Sequence, residues 1–255
     1  MAKRSRLRRV ARWFFGVLAL LVAGVVVTGF VLNEPRPTGG LNEAGAGDAL
    51  ARRIETGTAQ EAWARTGAVE WTFKDSLHHL WDRERHFSRV RWDDYEVLLR
   101  GDATGVAFQN GNRLRGEAAS EALDHAHARF INDSYWLNPF SKFFDPGVTR
   151  SVIETERGEG LLMEFSSGGR TPGDAYAITS DESGRPTYWQ MWVSIIPVGG
   201  VGCSWEEWVE LSTGAMVATK HDFGMATLEL SDVRGAVTLE ALVGEEDPFA
   251  VLVAP

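Results

Sequence analysis

Residues 69–111 have the sequence VEWTFKDSLHHLWDRERHFSRVRWDDYEVLLRGDATGVAFQNG, in which apolar and polar side chains alternate. The period of two is clear at residues 69–73 and returns at residues 95–99. This period is typical of β-strands with one buried face. Asn110-Gly111 is a strong signal for a tight hairpin turn. The stretch therefore predicts a meander of short antiparallel strands.

Further strand patterns follow in the second half of the chain, separated by turns rich in Gly, Asp or Pro. They cover residues 151–156, 161–165, 175–180, 187–196, 202–211, 215–220, 226–230 and 237–241. Turns every 8–12 residues favour an antiparallel sandwich or barrel of about eleven strands. Two helices are predicted beside them. One begins with Asp48 as its cap and runs to about Arg65, with Gly57 as a possible break, and the other covers Glu117–Ile131.

The charge of the chain is distributed unevenly. Residues 1–12 carry six basic groups and no acid, whereas the remainder carries 20 basic and 35 acidic groups, so a total of −9 divides into +6 and −15. Residues 13–32, WFFGVLALLVAGVVVTGFVL, contain no charge. Twenty apolar residues in a helix can cross a hydrocarbon core of about 30 Å. The basic flank predicts that the N-terminus is cytoplasmic and that the body of the protein lies across a bacterial inner membrane, in the periplasm.

The sequence is consistent with either of two fates for this apolar run. A cleaved signal peptide has a shorter apolar region and a small-x-small cleavage site. Residues 28–32, TGFVL, contain no clear site of that kind, which favours an uncleaved anchor. The expected order is therefore a cytoplasmic tail at 1–12, a transmembrane helix at 13–32, a linker rich in Pro and Gly at 33–47 and a periplasmic domain at 48–255.

Several classes of function lack their sequence signals. An acidic chain is a poor general binder of nucleic acid, which needs clustered Lys and Arg. No nucleophile elbow, zinc-protease motif, phosphate-binding loop or dinucleotide fingerprint is present, so no catalytic residue and no cofactor are predicted. The single cysteine, Cys203, is expected to be a small buried residue. The six histidines are expected at the surface, with a metal site assembled from them as the alternative.

The aromatic residues give the main functional indication, since ten Trp and 13 Phe accompany only four Tyr. Many Trp and Phe residues occupy alternating strand positions, so they are expected to face one interior. That interior is either a packed core or an apolar hollow that holds a lipid. The candidate ligand-binding residues of the hollow and of a lid over its mouth are Trp71, Trp92, Phe108, Trp136, Phe140, Phe143, Trp192 and Trp205.

The chain resembles the periplasmic lipoprotein-carrier superfamily typified by LolA and LolB. The resemblance covers roughly residues 47–242, and the segments that carry it are VEWTF (69–73), HLWD (79–82), SRVR (88–91), NDSYWLNPF (132–140), FDPGV (144–148), WQMW (189–192) and WEEW (205–208). It implies an α+β domain in which a curved antiparallel sheet, a half-open β-barrel of about eleven strands, wraps around two short helices. The carriers are soluble or lipid-anchored, whereas this chain has a predicted helical anchor.

Three functions are consistent with these patterns. The first is a membrane-anchored exported domain without catalysis, whose partners are the membrane and a lipid or lipidated protein segment. The second is a protein-interaction module with a fully packed interior and an exposed contact patch at Trp136, Phe140 and Phe143. The third is a hydrolase that uses carboxylates such as Glu206.

Overall fold

The computed structural model describes residues 33–38, 45–167 and 173–253. The basic tail (1–12) and the predicted membrane-spanning helix (13–32) lie outside the described residues. Among the helices that the structure does describe, none combines the length and the apolar character needed to span a bilayer.

Fourteen described strands form two antiparallel sheets. In the large sheet the order is β12-β13-β14-β1-β2-β3-β4-β5-β6 and in the small sheet β11-β10-β9-β8-β7. The strands are β1 (Ala68–Phe73), β2 (Leu77–Asp82), β3 (Phe87–Trp92), β4 (Tyr95–Leu99), β5 (Gly105–Gln109), β6 (Asn112–Arg113), β7 (Val148–Thr155), β8 (Gly158–Phe165), β9 (Ala175–Ser180), β10 (Pro186–Trp192), β11 (Val201–Ser204), β12 (Glu206–Glu210), β13 (Met216–Asp222) and β14 (Thr227–Ala236).

The helices are few, and all but one are short. They are α1 (Ala46–Gly57), α2 (Gln60–Ala64), α3 (Gly116–Leu137), a 3₁₀ turn (Pro139–Lys142), α4 (Leu239–Val243) and α5 (Ala250–Val253). The expectation of antiparallel sheets with few helices is confirmed. The count is corrected, because fourteen strands in two sheets replace about eleven strands in one half-open barrel, and the described strands do not close into a barrel.

The meander predicted from residues 69–111 is present. Strands β1 to β5 pair in sequence order, and Gln109 pairs with Asn112 across a two-residue turn. Asn110 and Gly111 have φ values of 50° and 75°. Two successive positive φ values are what a tight hairpin turn of the mirror-image type requires.

Both faces of the large sheet are covered at β3, β4 and β5. Helix α3 packs on β3, β4 and β5 through Ala122 and Ala126, which contact Val97 and its neighbours on what we call the inner face. The C-terminal segment covers the other face, where Phe249 and Leu252 pack on Leu98 and adjacent side chains. Helix α1 covers the inner face of the small sheet, against β7 and β8.

Helix boundaries differ from the sequence prediction at three places, each for a local reason. The first predicted helix divides at Gly57, where a Cβ would lie 2.4 Å from the Gly184 backbone, so that only glycine permits this close approach. Helix α3 continues six residues beyond Ile131 and ends before Asn138-Pro139, because a residue preceding proline avoids the helical conformation. Residues 237–241, predicted as a strand, instead enter α4, whose Ala241 amide donates to the Thr238 hydroxyl cap.

The strand predicted at residues 202–211 is two strands in two different sheets. Trp205 lies between β11 and β12, and its backbone amide donates to Thr187 of the small sheet at 3.0 Å. Glu207 then takes the left-handed conformation with φ 53°. The chain therefore leaves the small sheet and joins the large one at this point, and the boundary between the two sheets lies here.

Candidate functional site

The boundary between β11 and β13 is held by side chains rather than by a backbone ladder. The Ser204 hydroxyl oxygen accepts a hydrogen bond from the Asp222 amide at 3.0 Å, and the Ser204 carbonyl lies 3.2 Å from Nδ1 of His221. Because a carbonyl can only accept, Nδ1 of His221 carries the proton and Nε2 of the neutral ring is an acceptor. The two sheets are thus joined through few polar bonds.

Aromatic rings fill the space behind this boundary. We call Trp136, Phe140, Trp189, Trp205 and His221 the aromatic seam. Trp205 is its centre, with ring centroids 4.3 Å from His221, 4.8 Å from Phe140 and 4.9 Å from Trp189. Several of these pairs meet edge to face, the arrangement that aromatic quadrupoles favour.

The end of α3 and the 3₁₀ turn pack against both sheets. Trp136 contacts Trp189 of β10 at 5.1 Å and His221 of β13 at 5.2 Å, so one side chain bridges the small and large sheets. Phe140 and Phe143 are 1% and 0% exposed. The stretch predicted as a lid is therefore an internal plug.

The eight candidate residues do not share one interior. Four of them, Trp136, Phe140, Phe143 and Trp205, come together in the core of the small sheet. Trp71 packs in the neighbouring cluster of the large sheet, which also contacts Trp136. The other three lie apart: Trp92 in the cluster under α3, Phe108 on the opposite face, and Trp192 on the outer face of the small sheet.

These placements overturn two expectations. The alternating strand aromatics do not all face one hollow, because the sheets bury side chains on both faces. The contact patch proposed for a protein-interaction module is also wrong for Phe140 and Phe143, which are buried. Whether any of the eight residues binds a ligand stays a prediction.

Sequence reasoning did not place Trp189 and His221 in the site. Along β10, Trp189 and Met191 are buried, whereas Gln190 and Trp192 have the opposite parity and lie on the outer face. The polar Gln190 was the available signal that Trp192 faces away from the seam. His221 gave no signal, because a buried histidine and a surface histidine look alike in sequence.

Two histidines are buried, contrary to the expectation of surface positions. Burial lowers the pKa of His221 to about 4. Nε2 of His79 lies 2.8 Å from Asp133, and its ring stacks on Trp71 at 4.6 Å. Burial lowers the pKa of His79, and the bond to Asp133 opposes that shift. Both rings are therefore neutral near pH 7.

Two further polar side chains of this core are held in their neutral forms. Burial raises the pKa of the Cys203 thiol, which is 0% exposed, so the expectation of a small buried residue is confirmed. Burial also raises the pKa of the Tyr135 hydroxyl, with the Tyr176 hydroxyl as its neighbour. Within the described ranges no group of three or more His, Cys, Asp or Glu side chains could hold a metal ion.

A surface pocket of about 490 Å³ lies elsewhere, between β5 and the start of α3. Arg113, Leu114, Arg115 and Ala119 contribute to its walls, and none of the eight candidate residues does. Its mixed, open lining differs from an enclosed apolar site.

Comparison with known proteins gives no family. No protein-family model matches the chain, and no curated protein matches it. Two solved structures are similar over most of its length. One is a DUF1329 family protein from Desulfovibrio piger, with 11% identity and a TM-score of 0.39, covering 81% of this chain and 98% of that one.

The other is a putative outer membrane lipoprotein-sorting protein domain from Vibrio parahaemolyticus. It has 12% identity and a TM-score of 0.38, and it covers 78% of this chain and 96% of that one. Neither structure assigns a ligand or a site to this chain.

Proposed function

We propose that this chain is a membrane-anchored, exported domain that binds a lipid or a lipidated protein segment between its two sheets, without catalysis. The observation that carries the proposal is the aromatic seam. It is the place where the interior is richest in rings and where the sheets are joined by side chains rather than by a continuous ladder.

The contacts of the aromatic seam suit a step in which aromatic side chains move out and an acyl chain enters. In the proposal, β11 separates from β13 as the plug of Trp136 and Phe140 moves away. This opening would break ring contacts and a few hydrogen bonds, those of Ser204 and Asn138 among them, but no strand ladder. An acyl chain that takes its place regains the apolar contact, at about 0.8 kcal/mol for each buried CH₂. The proposed binding step is therefore an exchange of aromatic contacts for alkyl contacts.

The aromatic seam also offers polar groups for the head of such a ligand. Nε1 of Trp205 and Nε2 of His221 are buried and have no hydrogen-bond partner among the described residues. Buried polar atoms are normally paired. The indole N–H is a donor and the imidazole nitrogen an acceptor, a combination that complements a carboxylic acid or an amide attached to an acyl chain.

The membrane location comes from the charge pattern of the sequence. In the proposal, residues 1–12 are cytoplasmic, residues 13–32 span the bacterial inner membrane, and the acidic remainder is periplasmic. The candidate carboxylates of a hydrolase lie outside the aromatic seam, since Glu206 and Glu207 are exposed on β12.

The test is quenching of tryptophan fluorescence by a brominated fatty acid, using residues 33–255 after removal of bound lipid. Saturable quenching is expected. Trp136→Phe and Trp205→Phe should each reduce its extent, because these indoles would contact the chain. The matched control is Trp92→Phe, in a different cluster, which should leave the extent of quenching nearly unchanged. Unsaturable quenching, or equal losses in all three variants, would contradict the proposal.

One observation favours the second candidate, a protein-interaction module. The rings of the aromatic seam are in mutual contact, as in a permanently packed core. Such a module would show no saturable lipid quenching, and its partner would bind elsewhere on the surface. The quenching experiment therefore separates the two functions.

A further inference from the structure

The segment directly after the uncharged run is fixed to the outer face of the small sheet. The Glu34 amide donates to the Gly199 carbonyl at 3.0 Å, and the Gly199 amide donates to the Asn33 side-chain oxygen at 2.8 Å. The indole of Trp192 donates to the Glu34 carbonyl at 2.9 Å, and Gln190 donates to its carboxylate at 2.7 Å. Residues 33–34 are thus joined to the loop that follows β10.

That loop, residues 193–200, has the sequence VSIIPVGG and contains no charge. Ile195 is 73% exposed, among the most exposed large apolar side chains of the described residues. The loop has a defined shape, because the Ser194 amide donates to Asp174 at 3.0 Å and the Gly200 amide donates to the Met191 carbonyl at 3.0 Å. The loop thus presents an uncharged surface with one strongly exposed isoleucine directly beside residues 33–34.

Chain continuity identifies what this loop meets. The 20-residue uncharged run ends at Leu32, and consecutive Cα atoms are about 3.8 Å apart. Asn33, the residue that follows the run, is hydrogen-bonded to Gly199 of the loop. If the run crosses a bilayer, the loop lies at the level where the run leaves it.

We propose that this loop, residues 193–200, contacts the lipid bilayer, with Ile195 in the boundary between headgroups and acyl chains. The inference rests on the proposed membrane anchor and adds the orientation of the domain. The end of the small sheet that holds this loop faces the membrane, and the β9–β10 turn points away from it. Apolar side chains at that depth are stabilised by the same burial that holds interfacial helices.

The opposite end of β10 supplies a matched control position. Glu182 lies in the exposed turn before β10, and the loop follows β10. A seven-residue strand at about 3.3 Å per residue separates the two positions by roughly 20 Å. A probe at the membrane surface and a probe at that distance have clearly different access to lipid.

The test uses the full chain reconstituted in phosphatidylcholine vesicles. Cys203→Ala removes the native thiol, which is buried. An environment-sensitive NBD fluorophore is then attached at Ile195→Cys or at Glu182→Cys. We expect a blue-shifted emission and several-fold stronger quenching by doxyl lipids at position 195, with little quenching at position 182.

Each alternative outcome has a distinct meaning. If the chain floats with the vesicles but position 195 is quenched no more than position 182, the loop does not face the bilayer and the inference is wrong while the anchor stands. If the chain does not float with the vesicles, the anchor and the inference both fail. A blue shift that grows with protein density without doxyl quenching would assign the loop to a contact between copies, which also overturns the inference.

Discussion

Replacing Trp136 by alanine tests whether the end of α3 joins the two sheets. Its ring contacts Trp189 at 5.1 Å and His221 at 5.2 Å, and it lies 6.4 Å from Trp205 with the rings nearly parallel. These neighbours come from β10, β13 and the residue between β11 and β12. The substitution removes contacts with both sheets at once.

The expected loss is large for a side chain that is only partly buried. Truncating a core Phe or Trp to alanine costs about 3–5 kcal/mol, and the partial exposure of Trp136 favours the lower end, about 3 kcal/mol. Within that total, the contact with Trp189 should contribute about 0.5–1.5 kcal/mol as an aromatic pair. The remainder is lost apolar burial.

The assay measures the equilibrium unfolding of residues 33–255 in urea, with circular dichroism as the signal. Trp192→Ala is the matched control, because this half-buried indole packs on the outer face and has no aromatic neighbour in its cluster. Its expected loss is about 1–2 kcal/mol, from burial and one hydrogen bond to Glu34.

A double-mutant cycle of Trp136→Ala with Trp189→Ala isolates the interaction energy between these two rings. A coupling energy of about 0.5–1.5 kcal/mol is expected. Coupling near zero, or a loss for Trp136→Ala no larger than for Trp192→Ala, would refute the claim that α3 joins the sheets through this ring.

Three further predictions concern the titration of His221, the C-terminal segment on the large sheet and residues 33–34 on the small sheet. The pKa of His221 is about 6.5 in the unfolded chain, and burial lowers it to about 4 in the folded protein. As the pH falls, the unfolded chain therefore binds this proton before the folded protein does. The free energy of unfolding should therefore fall by about 3 kcal/mol as pH drops from about 6.5 to 4, and His221→Phe should flatten that slope in urea titrations at each pH. Arg85 donates two bonds to Asp247 at 2.8 and 2.9 Å, so Arg85→Ala should cost about 1–2 kcal/mol and expose the C-terminal segment to limited proteolysis, whereas unchanged proteolysis would contradict this. A Cβ at Gly199 would lie 2.8 Å from the Glu34 carbonyl oxygen, so Gly199→Ala should speed hydrogen exchange of the Glu34 amide; unaltered exchange would show that the segment is held by other contacts.

The strand content was predictable because it depends on local pattern. The period of two at residues 69–73 and the Asn110-Gly111 turn predict β1 and the β5–β6 hairpin, and both are present. Such features need only neighbours in the chain to specify them.

The division into two sheets was not predictable, because it depends on contacts distant in the sequence. Residues 202–211 have one continuous strand pattern, yet Trp205 bonds Thr187 while the following residues pair with β13. The aromatic seam forms at this division. The sequence predicted Trp136, Phe140 and Trp205 as members of a site, and it missed Trp189 and His221.

The extension of α3 shows the same limit. Residues 132–137 have no clear helical period, and the contacts of Trp136 with two sheets stabilise the last turns. Tertiary packing outweighs local preference there, as it commonly does in helices. The buried Asp133, bonded to His79, could not be paired from sequence because 54 positions separate the two residues.

The claim that the aromatic seam opens to admit an acyl chain can be tested by locking it with a disulfide. The Ser204 hydroxyl oxygen accepts from the Asp222 amide at 3.0 Å across the boundary between β11 and β13, so these two neighbouring positions are the pair chosen for the disulfide. Ser204→Cys with Asp222→Cys, in a Cys203→Ala background, should bind brominated fatty acid like the parent when reduced. When oxidised, it should lose most of that binding, and reduction should restore it. Equal saturable binding by the locked and reduced forms would contradict the account.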